Sequence, residues 1–146
     1  MMKAVLSGFI ASAVLFVVSQ ADEATLKKEK ARFKGTWKIV RVENSTGEDD
    51  KYKGAMVVFD EAGTLELRHN DETKKADFKI NPAAKLKEID ITPADGGRTM
   101  KGIYELKKDT LRICLDNDPD ESQRPTALTP KAGTRQALFT LERAKK

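Results

Sequence analysis

The chain has 146 residues, which is the size of one domain and argues against two independent ones. A hydrophobic fraction of 39% is too high for a wholly disordered chain and too low for a protein with several membrane spans. The 27 Lys and Arg residues slightly exceed the 23 Asp and Glu residues, and the net charge of +4 is spread along the chain. Such a mild excess does not indicate a nucleic-acid-binding protein, so we expect no nucleic acid partner.

The N-terminal residues predict a signal peptide over residues 1–21. Lys3 supplies a positive charge, Ala4–Val18 is apolar, and Ser19-Gln20-Ala21 places small residues at the positions that a signal peptidase reads. The alternative is an uncleaved membrane anchor, but the apolar run is shorter than the roughly 18 residues that a span prefers. We therefore expect an exported protein, either periplasmic or extracellular.

A short helix is predicted over residues 22–34, before a β domain over residues 35–146. Acidic residues come first and basic residues later in Asp22–Phe33, as the helix dipole favours. From Gly35 onward, short runs of β-branched and aromatic residues are separated by turn-forming residues. This pattern is typical of an antiparallel meander.

Eight strands are predicted in the β domain. They are Thr36–Glu43, Ala55–Asp60, Thr64–His69, Ala76–Ile80, Glu88–Thr92, Thr99–Leu106, Thr110–Asp116 and Gln136–Arg143. Short connections favour antiparallel neighbours, and the two long ones are Asn44–Gly54 and Asn117–Arg135. Because no strand is purely apolar, a sheet closed into an eight-stranded barrel would bury one face of each strand and leave no exposed edge. The alternative is a two-sheet sandwich.

Gly35-Thr36-Trp37, at the start of the first predicted strand, resembles the G-x-W motif of lipocalins. The resemblance implies that Gly35 permits a tight approach of the chain and that Trp37 closes one end of the barrel. It also implies that a basic residue near the end of the last strand packs on the indole, and Arg143 occupies that position. A stacked cation of this kind is favourable by about 1 kcal/mol.

A wider resemblance runs from about Lys34 to Arg143. Five segments, in this order, are similar to an uncharacterised lipocalin-like domain family expanded in planctomycete bacteria: Gly35-Thr36-Trp37-Lys38, Asp90-Ile91-Thr92-Pro93, Gly102–Leu106, Asp109–Cys114 and Arg124-Pro125-Thr126. The resemblance implies an exported bacterial protein with a lipocalin-like barrel. It implies no established activity and no catalytic residues.

The chain offers little for catalysis or metal binding. His69 is its only His and falls at a strand end, while Cys114 is its only Cys and falls in an apolar strand where a buried, inert thiol is expected. Asp116–Glu121 has the first carboxylates of a calcium loop, but Glu121 and Ala127 stand where that loop needs Gly and a bidentate Glu. We therefore expect no enzyme, no metal site and no cofactor.

The remaining functional candidate is the barrel interior, which in a barrel of eight strands is either filled by side chains or holds one small ligand. Among the residues expected there, Tyr104 is the best candidate for a polar contact with a ligand, since a buried hydroxyl needs a hydrogen-bond partner and could find it on the ligand. The residues expected to line the interior are Trp37, Ile39, Leu65, Leu67, Phe78, Ile89, Ile91, Tyr104, Leu106, Leu111, Ile113 and Leu115.

Two functions are compatible with this interior. The first is a non-enzymatic, monomeric binding protein that holds a small apolar or amphipathic ligand in the barrel. The second is a filled barrel that acts as an interaction module, whose long loops contact another protein or the cell envelope. A packed core uses the same residue types, so the sequence leaves both open.

Overall fold

A computed structural model describes residues 23–118 and 121–144 of the chain. Helix α1 covers residues 23–33. It is followed by strands β1 (Gly35–Asn44), β2 (Gly47–Glu48), β3 (Met56–Phe59), β4 (Thr64–His69), β5 (Glu72–Asn81), β6 (Glu88–Pro93), β7 (Met100–Lys107), β8 (Thr110–Asp116) and β9 (Gln136–Arg143). The predicted signal peptide lies outside the described residues and stays a prediction. Among the described residues, no helix combines the length and the hydrophobicity needed to cross a bilayer.

Eight of the strands form one closed antiparallel barrel. β1 and then β3 to β9 pair in chain order, and β9 pairs back with β1, while β2 is a short extra strand on the end of β1. The register between β1 and β9 shifts between Ile39 and Arg41, and such a bulge bends a strand as closure requires. The structure thus confirms the predicted all-β class, the eight-stranded barrel and the short N-terminal helix, and the sandwich alternative is wrong.

The largest difference from the predicted strands is the start of β5. It begins at Glu72 rather than Ala76, because Asn70 and Asp71 form a two-residue hairpin turn in which both residues have positive φ. Such a turn matches the twist of the strands it joins and favours Asn and Asp. The added residues, Glu72–Lys75, are all polar, so hydrophobic alternation does not mark them as a strand.

Helix α1 closes one end of the barrel. Its last residue, Phe33, is fully buried and packs against Phe59, Phe78 and Tyr104, with ring centroids 4.9 to 5.9 Å apart. These rings meet edge-on or tilted, which is the favourable geometry for aromatic pairs. The aromatic cluster leaves the helix end of the barrel filled.

The long connection between β8 and β9 packs on the outside of the barrel. Leu128 covers a small outer cluster of Ile103, Cys114 and Leu138. Arg124 donates hydrogen bonds to the carboxylate of Asp90 and to the backbone carbonyl of Gly102, at 2.7 and 2.9 Å. These contacts hold the connection against β6, β7 and β8.

Two residues under this connection are constrained by their surroundings. A Cβ at Gly102 would lie 2.6 Å from the carbonyl oxygen of Cys114, so only glycine fits where β7 and β8 approach closely.

The Cys114 thiol is fully buried, and burial together with the nearby charge of Asp116 raises its pKa to about 11. A thiol with so high a pKa is a poor nucleophile.

Candidate ligand-binding cavity

The barrel contains a cavity of about 670 Å³ at the end opposite helix α1. It is lined by residues of all eight barrel strands and by parts of both long connections. This volume is in the range of pockets that hold small molecules.

The walls of the cavity are apolar. They consist of inward side chains from all eight strands of the barrel, namely Ile39, Val42, Val57, Phe59, Leu65, Leu67, Ala76, Ile91, Met100, Ile113, Leu115, Phe139 and Leu141. Because successive residues of a strand face opposite sides, alternation places these residues on the inner surface. The cavity can therefore bury an apolar group without leaving a wall polar group unpaired.

The rim of the cavity is polar and carries more positive than negative charge. Its charged residues are Asp49, Lys51, Lys74, Lys75 and Arg135. The carboxylate of Asp49 accepts the backbone N–H of Lys51 at 2.9 Å. Basic side chains at the mouth thus surround an apolar interior.

Tyr52 forms part of the rim from the connection between β1 and β3. Its half-buried ring packs against the core and lines the cavity. The ring of His69 is 5.5 Å from it, and the Lys51 ammonium is 5.4 Å from its centre. This connection therefore covers one side of the mouth.

The structure divides the twelve predicted interior residues between the two ends of the barrel. All twelve belong to, or pack against, the main core cluster. Six of them line the cavity, namely Ile39, Leu65, Leu67, Ile91, Ile113 and Leu115. The other six belong to the filled part and do not line it, namely Trp37, Phe78, Ile89, Tyr104, Leu106 and Leu111. The sequence predicts a single interior space. In the structure, Phe33 of helix α1 fills one end of the barrel, so only the residues at the other end line a cavity.

The hypothesis that the Tyr104 hydroxyl binds a ligand is wrong in its premise, because that hydroxyl already has a partner. It donates a hydrogen bond to the carboxylate of Glu29 in helix α1, at 2.9 Å. Burial, and then the hydrogen bond and charge of Glu29, raise the pKa of Tyr104 above its usual range. Tyr104 therefore anchors the helix to the barrel wall.

Glu29 is a buried carboxylate with three donors. Besides Tyr104, it accepts hydrogen bonds from Lys87 and Arg32, at 3.0 and 2.9 Å. Burial by itself raises the pKa of Glu29, but the hydrogen bonds from Lys87 and Tyr104 and the charges of Lys87 and Arg32 outweigh it, so the pKa lies below its ordinary value. The helix is thus held by a charged network that a sequence pattern does not reveal.

Gly35, Trp37 and Arg143 meet at the closed end. The guanidinium of Arg143 lies 4.2 Å from the centre of the Trp37 ring and donates hydrogen bonds to the carbonyls of Arg32 and Lys34. The indole N–H of Trp37 donates to the carbonyl of Phe33, at 2.8 Å. Gly35 has a φ of +124°, and a Cβ there would lie 3.3 Å from Arg143, so the position needs glycine.

Several lining residues were not among the predicted ones. Phe59 and Phe139 lie in predicted strands, but each directly follows another apolar residue, Val58 or Leu138, so alternation alone does not show which of the two faces inward. Lys74 and Tyr52 could not be predicted, because Lys74 lies in the unpredicted part of β5 and Tyr52 lies in a long connection. The rim is therefore the part of the site that sequence reasoning missed.

The described residues contain no cluster of three or more His, Cys, Asp or Glu side chains suited to a metal ion. In the loop that resembles the start of a calcium site, the carboxylate of Asp116 accepts backbone N–H groups of Asp118 and Gln123. Those hydrogen bonds satisfy the buried Asp116 carboxylate within the protein. His69 contacts the Tyr52 ring and the side chain of Asn70.

No protein-family model matches the chain, and searches of curated proteins and of solved structures find no similar one.

Proposed function

We propose that this chain is a non-enzymatic binding protein that holds a small apolar or amphipathic molecule in the open half of its barrel. The observation that carries the proposal is the cavity of about 670 Å³, with apolar walls and a polar rim. Burial of apolar ligand surface supplies the driving force, and the rim orients the ligand.

The proposal includes export and the lipocalin-like relationship. The apolar segment before residue 22 and the G-x-W motif with its stacked Arg143 support them. N-terminal sequencing of the protein purified from its own host tests export, since a mature chain beginning at Asp22 is the expected result. A chain that retains Met1 in the membrane fraction would contradict cleavage, and one that retains Met1 in the cytoplasmic fraction would contradict export.

Ligand binding is tested with a neutral fluorescent probe, N-phenylnaphthylamine, added to the full chain expressed with its own N-terminal segment. We expect saturable binding that Ala76→Trp abolishes, because Ala76 is an inward, buried wall residue and the larger ring would occupy the cavity. Asp77→Trp is the matched control on the exposed outer face of the same strand, and it leaves binding unchanged. Circular dichroism checks that both variants are folded.

Native mass spectrometry of the protein purified gently from its own host complements this titration. A co-purifying small molecule supports the proposal. If no mass co-purifies, and the probe binds without saturation or equally well to Ala76→Trp, the carrier function is wrong. The interaction-module alternative then becomes the better one, with the connection between β1 and β3 as the surface to test.

A further inference from the structure

We propose that the cavity selects an anionic amphiphile, a molecule with one negatively charged head group on an apolar chain, and that Lys74 binds the head group at the rim. This inference rests on the proposed binding function and specifies its ligand class. It comes from the position of Lys74 and from the charge balance of the rim.

Lys74 lies on the inner face of the barrel. It precedes Ala76 and Phe78 by two and four residues in β5, and both of those residues are buried inside. Because residues two apart in a strand share a face, Lys74 belongs to the same inward row. Its partner across the sheet is Leu67, which also lines the cavity. Along this inward row of β5, the residues are apolar inside the barrel and the residue at the mouth, Lys74, is a cation.

The cations of the rim are not neutralised by neighbouring acids. Within the described residues, Lys51, Lys74 and Arg135 form no ion pair, whereas cations elsewhere on the barrel, such as Arg112 and Arg124, do. Of the residues in the described ranges that line the cavity, Asp49 is the one that carries a negative charge. A ligand anion at this point would meet several unpaired positive charges.

The two halves of such a ligand match the two parts of the cavity. An apolar chain gains free energy by leaving water for the walls, whereas an anionic head group keeps contact with water and gains an ion pair at the rim. A cationic head group would meet like charges instead. The aromatic cluster around Phe33 limits how deep the chain can go, so a chain of moderate length fits.

Calorimetric titration of the full chain with decanoate, decanol and decyltrimethylammonium tests the inference. These three probes share an apolar chain and differ in head-group charge. We expect decanoate to bind roughly fivefold more tightly than decanol, as a partly exposed ion pair implies, and the cation to bind most weakly. In Lys74→Glu the order of decanoate and decyltrimethylammonium reverses.

Lys79→Glu is the matched control. Lys79 lies in the same strand on the exposed outer face, so it changes the net charge equally without altering the cavity. It should leave the preference for decanoate intact.

The outcomes separate this inference from the function on which it rests. If decanol binds saturably but decanoate binds no more tightly, the cavity is a binding site and the charge selectivity is wrong. If Lys79→Glu weakens decanoate as much as Lys74→Glu does, net charge is responsible and the role of Lys74 is wrong. If none of the three probes binds, the proposed function itself fails.

Discussion

The two ends of the barrel are built from similar residue types, but one end is a filled core and the other contains a cavity. At the closed end, Phe33 from helix α1 fills the space between inward side chains, and Glu29 of the same helix binds Tyr104 and Lys87. At the open end, the described part of the chain places no helix, and the inward side chains line a cavity with a basic rim. An eight-stranded barrel lies at the size where side chains can either fill it or leave room for a ligand. One element from outside the sheet decides which of the two happens.

The comparison implies that stability depends on the closed end and binding on the open end. Close packing at the closed end makes every lost atom costly, since a cavity there cannot collapse easily. Side chains at the open end face the cavity on one side and have fewer packing partners there. Truncating one of them should therefore lower the free energy of unfolding less. The predictions that follow test this division, and all rest on the free energy of unfolding measured with urea.

The largest effect is expected for Phe33→Ala, which removes the fully buried ring between Phe59, Phe78 and Tyr104. We expect a loss of about 3–5 kcal/mol in the free energy of unfolding. Phe139→Ala is the matched change at the open end, where the ring is half-buried and lines the cavity. It should cost about 1–2 kcal/mol. Equal losses would contradict the division.

The next effect concerns Glu29→Gln, which removes the buried charge from the network that holds helix α1. We expect a loss of about 1–3 kcal/mol at pH 7, because the donors of Lys87 and Arg32 lose their anionic acceptor. Lys87 and Arg32 are partly exposed, so water screens part of the loss.

The same variant predicts a change in pH dependence. Folding lowers the pKa of Glu29 below its ordinary value of 4.5, so its contribution to stability is present above that pH and is lost as the pH falls through the folded-state pKa. Urea unfolding at pH values from 7 down to 3 should therefore show a smaller fall in stability for Glu29→Gln than for the unaltered chain. Parallel curves would mean that the Glu29 carboxylate has no such role.

A smaller effect is expected for Arg143→Ala, which removes the cation from the Trp37 ring and its hydrogen bonds to Arg32 and Lys34. The cost should be about 1–2 kcal/mol, because the side chain is partly exposed. Arg143→Lys should recover only part of it, since an ammonium can stack on the indole but cannot reproduce the planar fork. Full recovery by lysine would show that only the charge matters.

The smallest effect on stability is expected for Tyr52→Ala at the rim. Its ring is half-buried and packs against the side of the mouth, so the free energy of unfolding should change by less than about 1 kcal/mol. The probe N-phenylnaphthylamine should dissociate faster from this variant in stopped-flow displacement, because the mouth is less covered. A loss comparable to that of Phe33→Ala would place Tyr52 in the structural core.

The sequence alone determined the fold class and the strand order. Alternation in segments such as Leu65–Arg68 and Leu111–Leu115 marks strands with one apolar face, and the short turns between neighbours require antiparallel pairing. These signals favour closure into a barrel but leave a two-sheet sandwich open, and the pairing of β9 with β1 is what decides between them. These signals are local and lie within a few residues of each other.

Only the tertiary structure decided which inward residues face a ligand and which form the core. Leu67 and Leu111 belong to the same alternating pattern, yet Leu67 lines the cavity and Leu111 lies in the filled half. The difference depends on where helix α1 enters the barrel, and that position follows from contacts such as Tyr104 with Glu29, 75 residues apart in the chain. Periodicity records on which face of a strand a residue lies, whereas its depth along the barrel axis depends on contacts between distant segments.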